Sequence, residues 1–206
     1  PEAAADFAAR LTDGLVESRV SLADGETVSA QFGAPAQGLY IQWFSFTTDS
    51  VMRYSRHQAE QPYPVSERAV KVTQLDAADA VLSESTVPLT YLNTYLPLSG
   101  ACRTVTLTAV GSLSVSELTV YEADAPLNDA VQRWEPTVDA ADLLIVAAEP
   151  GAELSEFGGL LPQYAVENGV KTTVMYMTTL DSRLRAEEGL AGLWAMGLSN
   201  YPVFAG

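Results

Sequence analysis

The feature that most constrains the fold is a pair of segments, Thr104–Val110 and Leu113–Tyr121, in which apolar and polar residues largely alternate. A period of two is the pattern of a β-strand with one buried and one solvated face. Further apolar runs occur at Leu39–Phe46 and Ala69–Thr73, and glycines and prolines separate such runs throughout Leu15–Glu122. Short strands between regular turns predict a β-sandwich or jelly roll.

The pattern changes after the first 140 residues. Leu143–Ala148 is a fully apolar run, of the kind that a parallel sheet buries on both faces. Ser155–Asn168 has helical spacing, Thr172–Met177 is a second strand-like run, and Ser182–Met196 is a second amphipathic segment. The order strand-helix-strand-helix predicts a small Rossmann-like α/β unit with a parallel pair of strands.

Between these halves, residues 123–140 are acidic and contain Pro126 and Pro136, which indicates a linker. We expect this linker to pack through Trp134. The sequence therefore predicts a β-sandwich over residues 1–123, a linker over 124–140 and a partial α/β domain over 141–206.

Charge limits the partners. The chain of 206 residues has a formal net charge of −15 and 48% hydrophobic residues. Such a chain can build a packed core, but it repels phosphate backbones and anionic lipid, which argues against nucleic-acid binding and membrane insertion. The acidity serves solubility or, for some of the carboxylates, calcium binding.

Nucleophilic chemistry has little support. The single cysteine, Cys102, precedes an apolar alternating run and is expected to be a small buried residue. The single histidine, His57, cannot form a histidine-based zinc site without another chain.

Three segments of the first half resemble galactose-binding-like (discoidin-type) domains: Leu22–Thr27, Arg103–Leu107 and Ser116–Tyr121. The resemblance implies a jelly-roll sandwich that binds carbohydrate and often holds a structural calcium ion. At the positions of the family's calcium-binding carboxylates stand Asp24 and Glu117. An ordinary turn at Asp24-Gly25 is the alternative.

Sugar recognition combines aromatic platforms with planar hydrogen-bonding groups. The segment with Arg53, Tyr54 and His57 has this composition, and Tyr91 with Asn93 forms a second candidate. The alternative is that the tyrosines belong to the core and the arginines offset nearby acidic residues.

The second half resembles the PIG-L or LmbE-like N-acetylglucosaminyl deacetylases. Ala148–Glu153 stands where that family has Ala-His-Pro-Asp-Asp-Glu, and Gly158–Leu161, Arg185–Glu188 and Gly192–Gly197 resemble its later segments. The family uses the histidine and second aspartate of this motif as zinc ligands and the first aspartate as base.

The corresponding residues here are Glu149, Ala152 and Gly151, followed by Glu153. Glycine and alanine offer neither a ligand nor a base, so we expect no zinc and no deacetylase activity. We expect Glu149, Glu153 and Glu156 to cap the following helix within a solvated acidic loop. A site for a hard cation is the alternative.

Three hypotheses about function follow. The first is a noncatalytic protein that binds a glycan or a cell-envelope polymer and carries a vestigial deacetylase domain. The second is an assembly module whose α/β part contacts a protein partner or a second copy. The third is part of a zinc de-N-acetylase completed by another segment. The first implies an extracellular or cell-envelope location, with an export signal outside the sequence shown.

Overall fold

The alternating runs of the first half fold into eight antiparallel strands in the computed structural model, which describes residues 8–44, 68–178 and 183–204. The strands have these bounds: β1 Val20–Leu22, β2 Thr27–Gln31, β3 Ala36–Trp43, β4 Ala69–Leu75, β5 Val81–Pro88, β6 Asn93–Pro97, β7 Thr104–Val110 and β8 Leu113–Glu122. Sheet 1 has the order β1-β8-β3-β6, and sheet 2 has the order β2-β7-β4-β5. The prediction of a β-sandwich is confirmed.

The strands pair as a nested set. β1 pairs with β8, β2 with β7, β3 with β6, and β4 with β5, all antiparallel. This is one long hairpin rolled into two sheets, which is the topology of an eight-stranded jelly roll.

The core of the sandwich lies between the two sheets. Leu39, Ile41 and Trp43 of β3 face Val70 and Leu107 of sheet 2 within one cluster of buried residues. Trp43 is 1% exposed, and its indole Nε1 donates a hydrogen bond to Thr94 Oγ1 at 2.9 Å. Each such side chain contributes roughly 1.5–3 kcal/mol through burial. The expectation that Cys102 is buried is also confirmed.

A β-bulge in β8 resets the alternation of that strand. Gln42 pairs with Glu117 while the next residue, Trp43, pairs with Val115, so Ser116 is the extra residue. Val115 and Leu118 therefore both reach the core although they are three residues apart. With strict alternation, Glu117 would instead have faced the core.

The described residues fall into two units, of which the first ends at Val131 and the second begins at Gln132. This boundary falls within the segment 124–140 that the sequence suggests as a linker. In the second unit, Trp134 packs edge-on against Trp194 at 5.4 Å and Tyr201 at 5.5 Å between ring centroids. The prediction that this segment packs through Trp134 is confirmed.

The described part of the second unit contains a three-stranded parallel sheet in the order β11-β10-β9. Its elements are β9 Leu143–Ala147, helix α1 Ala152–Phe157, a π-helix Pro162–Glu167, β10 Thr172–Tyr176, helix α2 Arg183–Ala195 and β11 Val203–Phe204. The predicted parallel pairing of the first two strands is confirmed. Assignment to a Rossmann-like family stays a prediction.

The helices differ from the sequence-based expectation in two respects. The predicted helix Ser155–Asn168 is split, because the flexible Gly158-Gly159 pair and Pro162 interrupt it. In α2, Leu190 and Leu193 are fully buried, but Leu184 is 53% exposed because it lies on the opposite side of the helix.

Helix lengths also bear on membrane association. Among residues 8–44, 68–178 and 183–204, no helix has the length and apolar character needed to cross a bilayer.

At the start of the described residues, Ala8–Arg10 are helical.

Candidate functional site

One end of the sandwich carries three of the residues that the sequence singles out for ligand binding: Asp24, Tyr91 and Asn93. We call it the loop end. There β1 and β3 end while β4, β6 and β8 begin, as the strand register shows. The loop end comprises the turn Ala23–Glu26, Phe44, Arg68, the segment 89–92 and the turn Gly111-Ser112.

Tyr91 and Asn93 both lie at the loop end. Tyr91 is half-buried in the bend before β6, whereas Asn93 is 3% exposed at the first position of β6. Arg53, Tyr54 and His57 lie outside the described residues. The chain leaves sheet 1 at Phe44 and re-enters sheet 2 at Arg68, and both of these residues belong to the loop end.

A pocket of about 510 Å³ opens at the loop end between the two sheets. Leu22 and Leu113, both nearly fully buried, form its apolar part. Its remaining lining residues are polar, charged or small: Ser21, Ala23, Glu26, Arg68, Ser112 and Ser114. The volume lies within the 300–1,000 Å³ typical of small-molecule sites.

Backbone N–H groups hold both carboxylates of the turn Ala23–Glu26. Glu26 Oε2 accepts a hydrogen bond from Ala23 N at 2.7 Å, and Asp24 Oδ1 accepts one from Gly111 N at 2.8 Å. The second bond ties the β1–β2 turn to the β7–β8 turn. Gly25 has a φ of 79°, a left-handed conformation that favours glycine. These carboxylates therefore shape the rim of the pocket.

Phe44 is covered at the same end by an arginine. The guanidinium carbon of Arg19 lies 4.0 Å from the centroid of the Phe44 ring. A cation–π contact of this kind contributes about 0.5–1 kcal/mol at an exposed position.

The two residues proposed for calcium, Asp24 and Glu117, do not meet. Asp24 bonds to Gly111, just before β8, whereas Glu117 lies four residues beyond the first residue of that strand. Four residues of strand span about 13 Å, which is too far for carboxylates that share one ion at 2.3–2.6 Å. This pair therefore does not fit a single calcium site.

The structure instead places Glu117 beside Asp13. Glu117 Oε1 accepts hydrogen bonds from Gly14 N at 2.7 Å and Leu15 N at 3.1 Å. Burial, and then the neighbouring Asp13 carboxyl, raise the pKa of Glu117 above its usual range. Asp13-Gly14 is a second Asp-Gly dipeptide, and sequence reasoning missed it because Asp24-Gly25 stood closer to strand-like residues.

Residues 148–153, whose resemblance to the deacetylase motif is one of sequence alone, lie at the carboxyl end of β9, the edge at which open α/β sheets bind ligands. Glu149 is exposed, Gly151 has a φ of 101°, and Ala152 begins α1. Gly151 and Ala152 carry no side-chain donor for a metal, so these positions do not fit the zinc site that the family resemblance would require.

The expectation of a solvated acidic loop is wrong for Glu153. Its side chain is 0% exposed, and Oε2 accepts a hydrogen bond from Gly151 N at 2.7 Å. The left-handed turn at Gly151 directs its N–H toward this carboxylate, which accounts for the burial. Glu149 and Glu156 are exposed, as expected.

Tyr176, the last residue of β10, lies beside Glu153 and is also fully buried. Its hydroxyl makes no hydrogen bond within the described residues, and neither does Glu153 Oε1. Burial, and then the adjacent Glu153 carboxylate, raise the pKa of Tyr176 far above its usual range. Both groups are enclosed, which leaves them no access to a substrate in this conformation.

Metal-ligating side chains are otherwise dispersed. Across residues 8–44, 68–178 and 183–204, no three or more His, Cys, Asp or Glu side chains are grouped in a way that could hold a metal ion.

Comparison with known proteins gives distant likenesses to solved structures. No family model matches the chain, and no curated protein matches it. The lectin domain of lectinolysin complexed with Lewis B antigen is 14% identical, with a TM-score of 0.37 over 56% of this chain and 84% of that one. The family 32 carbohydrate-binding module from C. perfringens NanJ, in complex with galactose, is 15% identical, with a TM-score of 0.39 over 56% and 84%. A pectin-binding carbohydrate-binding module is 11% identical, with a TM-score of 0.37 over 60% and 86%. The strand pairing described above defines the fold of the first unit.

Proposed function

We propose that the first unit binds a carbohydrate, either a glycan or a cell-envelope polymer, at the loop end and catalyses no reaction there. The observation that carries this proposal is the pocket of about 510 Å³ with an arginine, a glutamate and three serines in its walls. Sugars present many hydroxyls, and such walls offer matching donors and acceptors.

Two of the predicted sugar-binding residues lie at the loop end: Tyr91 just before β6 and Asn93 at its first position. We propose that the segment with Arg53, Tyr54 and His57, which lies between Phe44 and Arg68 in the sequence, contributes to the same site. Half-buried Tyr91 can offer a ring face to the apolar side of a sugar. We propose an extracellular or cell-envelope location, because a cell-envelope polymer would be met there.

The test is binding of the purified chain to a glycan array, followed by variants. We expect Arg53→Ala, Tyr54→Ala and Tyr91→Ala each to weaken binding at least tenfold. Arg103→Gln is the matched control, because Arg103 precedes β7 at the opposite end of the sandwich and bonds to the carbonyls of Gly100 and Cys102. Absence of binding to any glycan would overturn the proposal.

For the second unit we propose a vestigial deacetylase fold that holds no zinc. Its support is the sequence resemblance together with the Gly151 and Ala152 positions and the enclosed Glu153. Metal analysis with a de-N-acetylation assay tests it, and bound zinc with turnover would contradict it.

One observation favours an assembly role for this unit as an alternative. Leu144 and Val146 of β9 are 53% and 47% exposed on one face of the parallel sheet. Parallel sheets are usually covered on both faces. Analytical ultracentrifugation should compare the wild type with the Leu144→Ser/Val146→Ser double variant. If this face mediates association, the double variant should sediment as a smaller assembly.

A further inference from the structure

The outer strand β5 of sheet 2 is open to another chain along its length. We propose that β5 pairs with β5 of a second copy of this chain, so that the two strands join in antiparallel fashion and sheet 2 continues from one copy into the other. This surface is separate from the loop-end pocket and from β9 of the second unit. Dimer formation through β5 therefore does not depend on sugar binding.

β5 lacks the features that usually protect an outer strand. All of its eight residues are exposed except half-buried Val87, whereas the other outer strands of the sandwich have three to five residues. Natural outer strands are commonly short or carry lysines that prevent pairing with another chain. The segment 81–88 contains no lysine or arginine, and within the described residues it has a neighbouring strand on the β4 side alone.

The hydrogen bonds to β4 show which backbone groups of β5 point outward. Leu89 N donates to Arg68 O at 3.1 Å, and this pair continues the register of the two strands. In an antiparallel ladder, pairs that bond to each other alternate with pairs whose N–H and C=O groups point away. This alternation extends along β5 to Ser83, beyond which the register shifts. The N–H groups of Glu84 and Thr86 therefore point outward.

Glu84 is the charged residue of β5, and its charge is compensated within the same sheet. Lys71 Nζ on β4 lies 2.8 Å from Glu84 Oε1, and Thr73 Oγ1 donates a hydrogen bond to the same oxygen at 3.3 Å. The edge is therefore close to neutral locally, although the whole chain has a net charge of −15. A second copy meets little repulsion at this strand.

Symmetry and charge together select one register for the pairing. A two-fold axis normal to the sheet places one residue opposite its own copy and keeps the buried faces of both copies on the same side. With the axis at Glu84, two carboxylates would lie opposite each other, which is destabilising. With the axis at Ser85, Glu84 lies opposite Thr86 of the partner subunit. The outward N–H and C=O groups of these residues can then bond across the dimer.

The experiment is sedimentation velocity of the full chain over a series of protein concentrations, at low and at high salt. We expect a reversible equilibrium between monomer and dimer. Higher salt should shift it toward the dimer, because salt screens the repulsion between two chains that each carry a net charge of −15.

Two substitutions at Thr86 test the register. Thr86→Lys should lower the dissociation constant of the dimer about fivefold, because each new lysine lies opposite Glu84 of the partner subunit. Thr86→Glu should raise the dissociation constant by about the same factor, because it places carboxylates opposite each other. If the axis lay at Glu84, Thr86 would instead face Leu82 of the partner subunit, and both substitutions would weaken the dimer.

The controls are Thr119→Lys and Thr119→Glu, which make the same changes in net charge at an exposed position of β8. Their dissociation constants should stay within about twofold of the wild type. Circular dichroism and thermal melting establish that each variant is folded. A chain that stays monomeric at every concentration and at both salt levels overturns the inference. A dimer that both Thr86 variants weaken, or that neither variant affects, overturns it as well.

Discussion

At the scale of single residues, Gly38 determines how the outer face of sheet 1 packs. It pairs with Pro97 on β6 and Tyr121 on β8, and the ring of Tyr95 occupies the space that a Cβ at position 38 would need. The Tyr95 hydroxyl donates to Gln37 O at 3.3 Å. An aromatic ring that covers a strand glycine in this way compensates for the missing side chain.

Gly38→Ala should therefore destabilise the sandwich. The new methyl group overlaps the Tyr95 ring, and overpacking of this kind costs about 1–3 kcal/mol. Urea unfolding measures the change, with Gly100→Ala as control because nothing lies within 4 Å of a Cβ there. A Gly38→Ala/Tyr95→Ala double variant should show less than the sum of the two single losses.

Glu117 should make stability depend on pH. Its folded-state pKa is raised by burial and by Asp13, so the folded state binds its proton more tightly than the unfolded state. Stability then falls as pH rises from about 4.5 through the folded pKa. When the pH is lowered from 7 to 5, the free energy of unfolding should increase more in the wild type than in the Glu117→Gln variant.

Glu122→Gln on the exposed end of the same strand serves as control for that comparison. Measurements stay above pH 4.5, because hydrogen bonds from Ser18 and Leu15 lower the pKa of Asp13 and its contribution is lost at more acid pH. Identical pH profiles for wild type and Glu117→Gln would argue against the raised pKa.

Cys102 should be unreactive in the native protein. The side chain is fully buried, and burial raises the pKa of its thiol. Thiolate is the reactive form, so labelling with a disulfide reagent at pH 8 should be complete in denaturant and very slow without it. Rapid labelling of the native chain would contradict the burial.

At the scale of elements, sequence patterns locate β7 and β8 but not the pairing between strands. β7 alternates strictly between half-buried threonines and buried Val105 and Leu107. The sequence pattern does not predict β5, because this edge strand has no buried apolar face and nearly all of its residues are exposed. The sequence pattern also does not predict the bulge at Ser116, because the bulge depends on the register of β8 against β3.

In the second unit, too, sequence patterns predict the strands but not the contacts between side chains. A sequence pattern finds the apolar β9, but it cannot show that Glu153 folds back onto Gly151 or that Tyr176 lies beside it. Those contacts depend on a left-handed turn and on the distance between neighbouring strands.

Tyr176→Phe tests this local arrangement. It removes a buried hydroxyl that has no hydrogen-bond partner within the described residues, so the variant should be as stable as wild type within about 1 kcal/mol, or more stable. Chemical denaturation followed by circular dichroism gives the value. A larger loss would mean that the hydroxyl bonds to Glu153.

At the scale of the whole molecule, the chain divides into units that can be probed separately. Trp134, Trp194 and Tyr201 form an aromatic cluster in the second unit, whereas Cys102 lies in the core of the first. The boundary at Val131 and Gln132 could be placed only approximately from composition, because Trp134 packs with the unit that follows it.

Gly189→Ala should loosen the second unit selectively. A Cβ there would lie 2.7 Å from Pro150 Cβ and 3.3 Å from the Tyr176 hydroxyl, which forces α2 away from the sheet. The thermal transition of the aromatic cluster, followed by near-ultraviolet circular dichroism, should occur at a lower temperature. The shift should correspond to a loss of about 1–3 kcal/mol in the free energy of unfolding. The labelling rate of Cys102 should change less, and Gly159→Ala, in open space, is the control.

The nested pairing of the sandwich also sets the order in which the protein can be made. The last two strands, β7 and β8, each lie in the interior of a sheet, between strands synthesised much earlier. Val20 cannot pair with Val115 until the 95 positions that separate them have been synthesised. By contrast, β4 and β5 can pair as soon as both strands have been synthesised. Contacts between such distant residues slow folding. Sheet 2 cannot close on the ribosome until the chain has been synthesised to Val110, and sheet 1 cannot close until it has been synthesised to Glu122. A nascent chain can therefore present the loop end to a sugar only after Glu122.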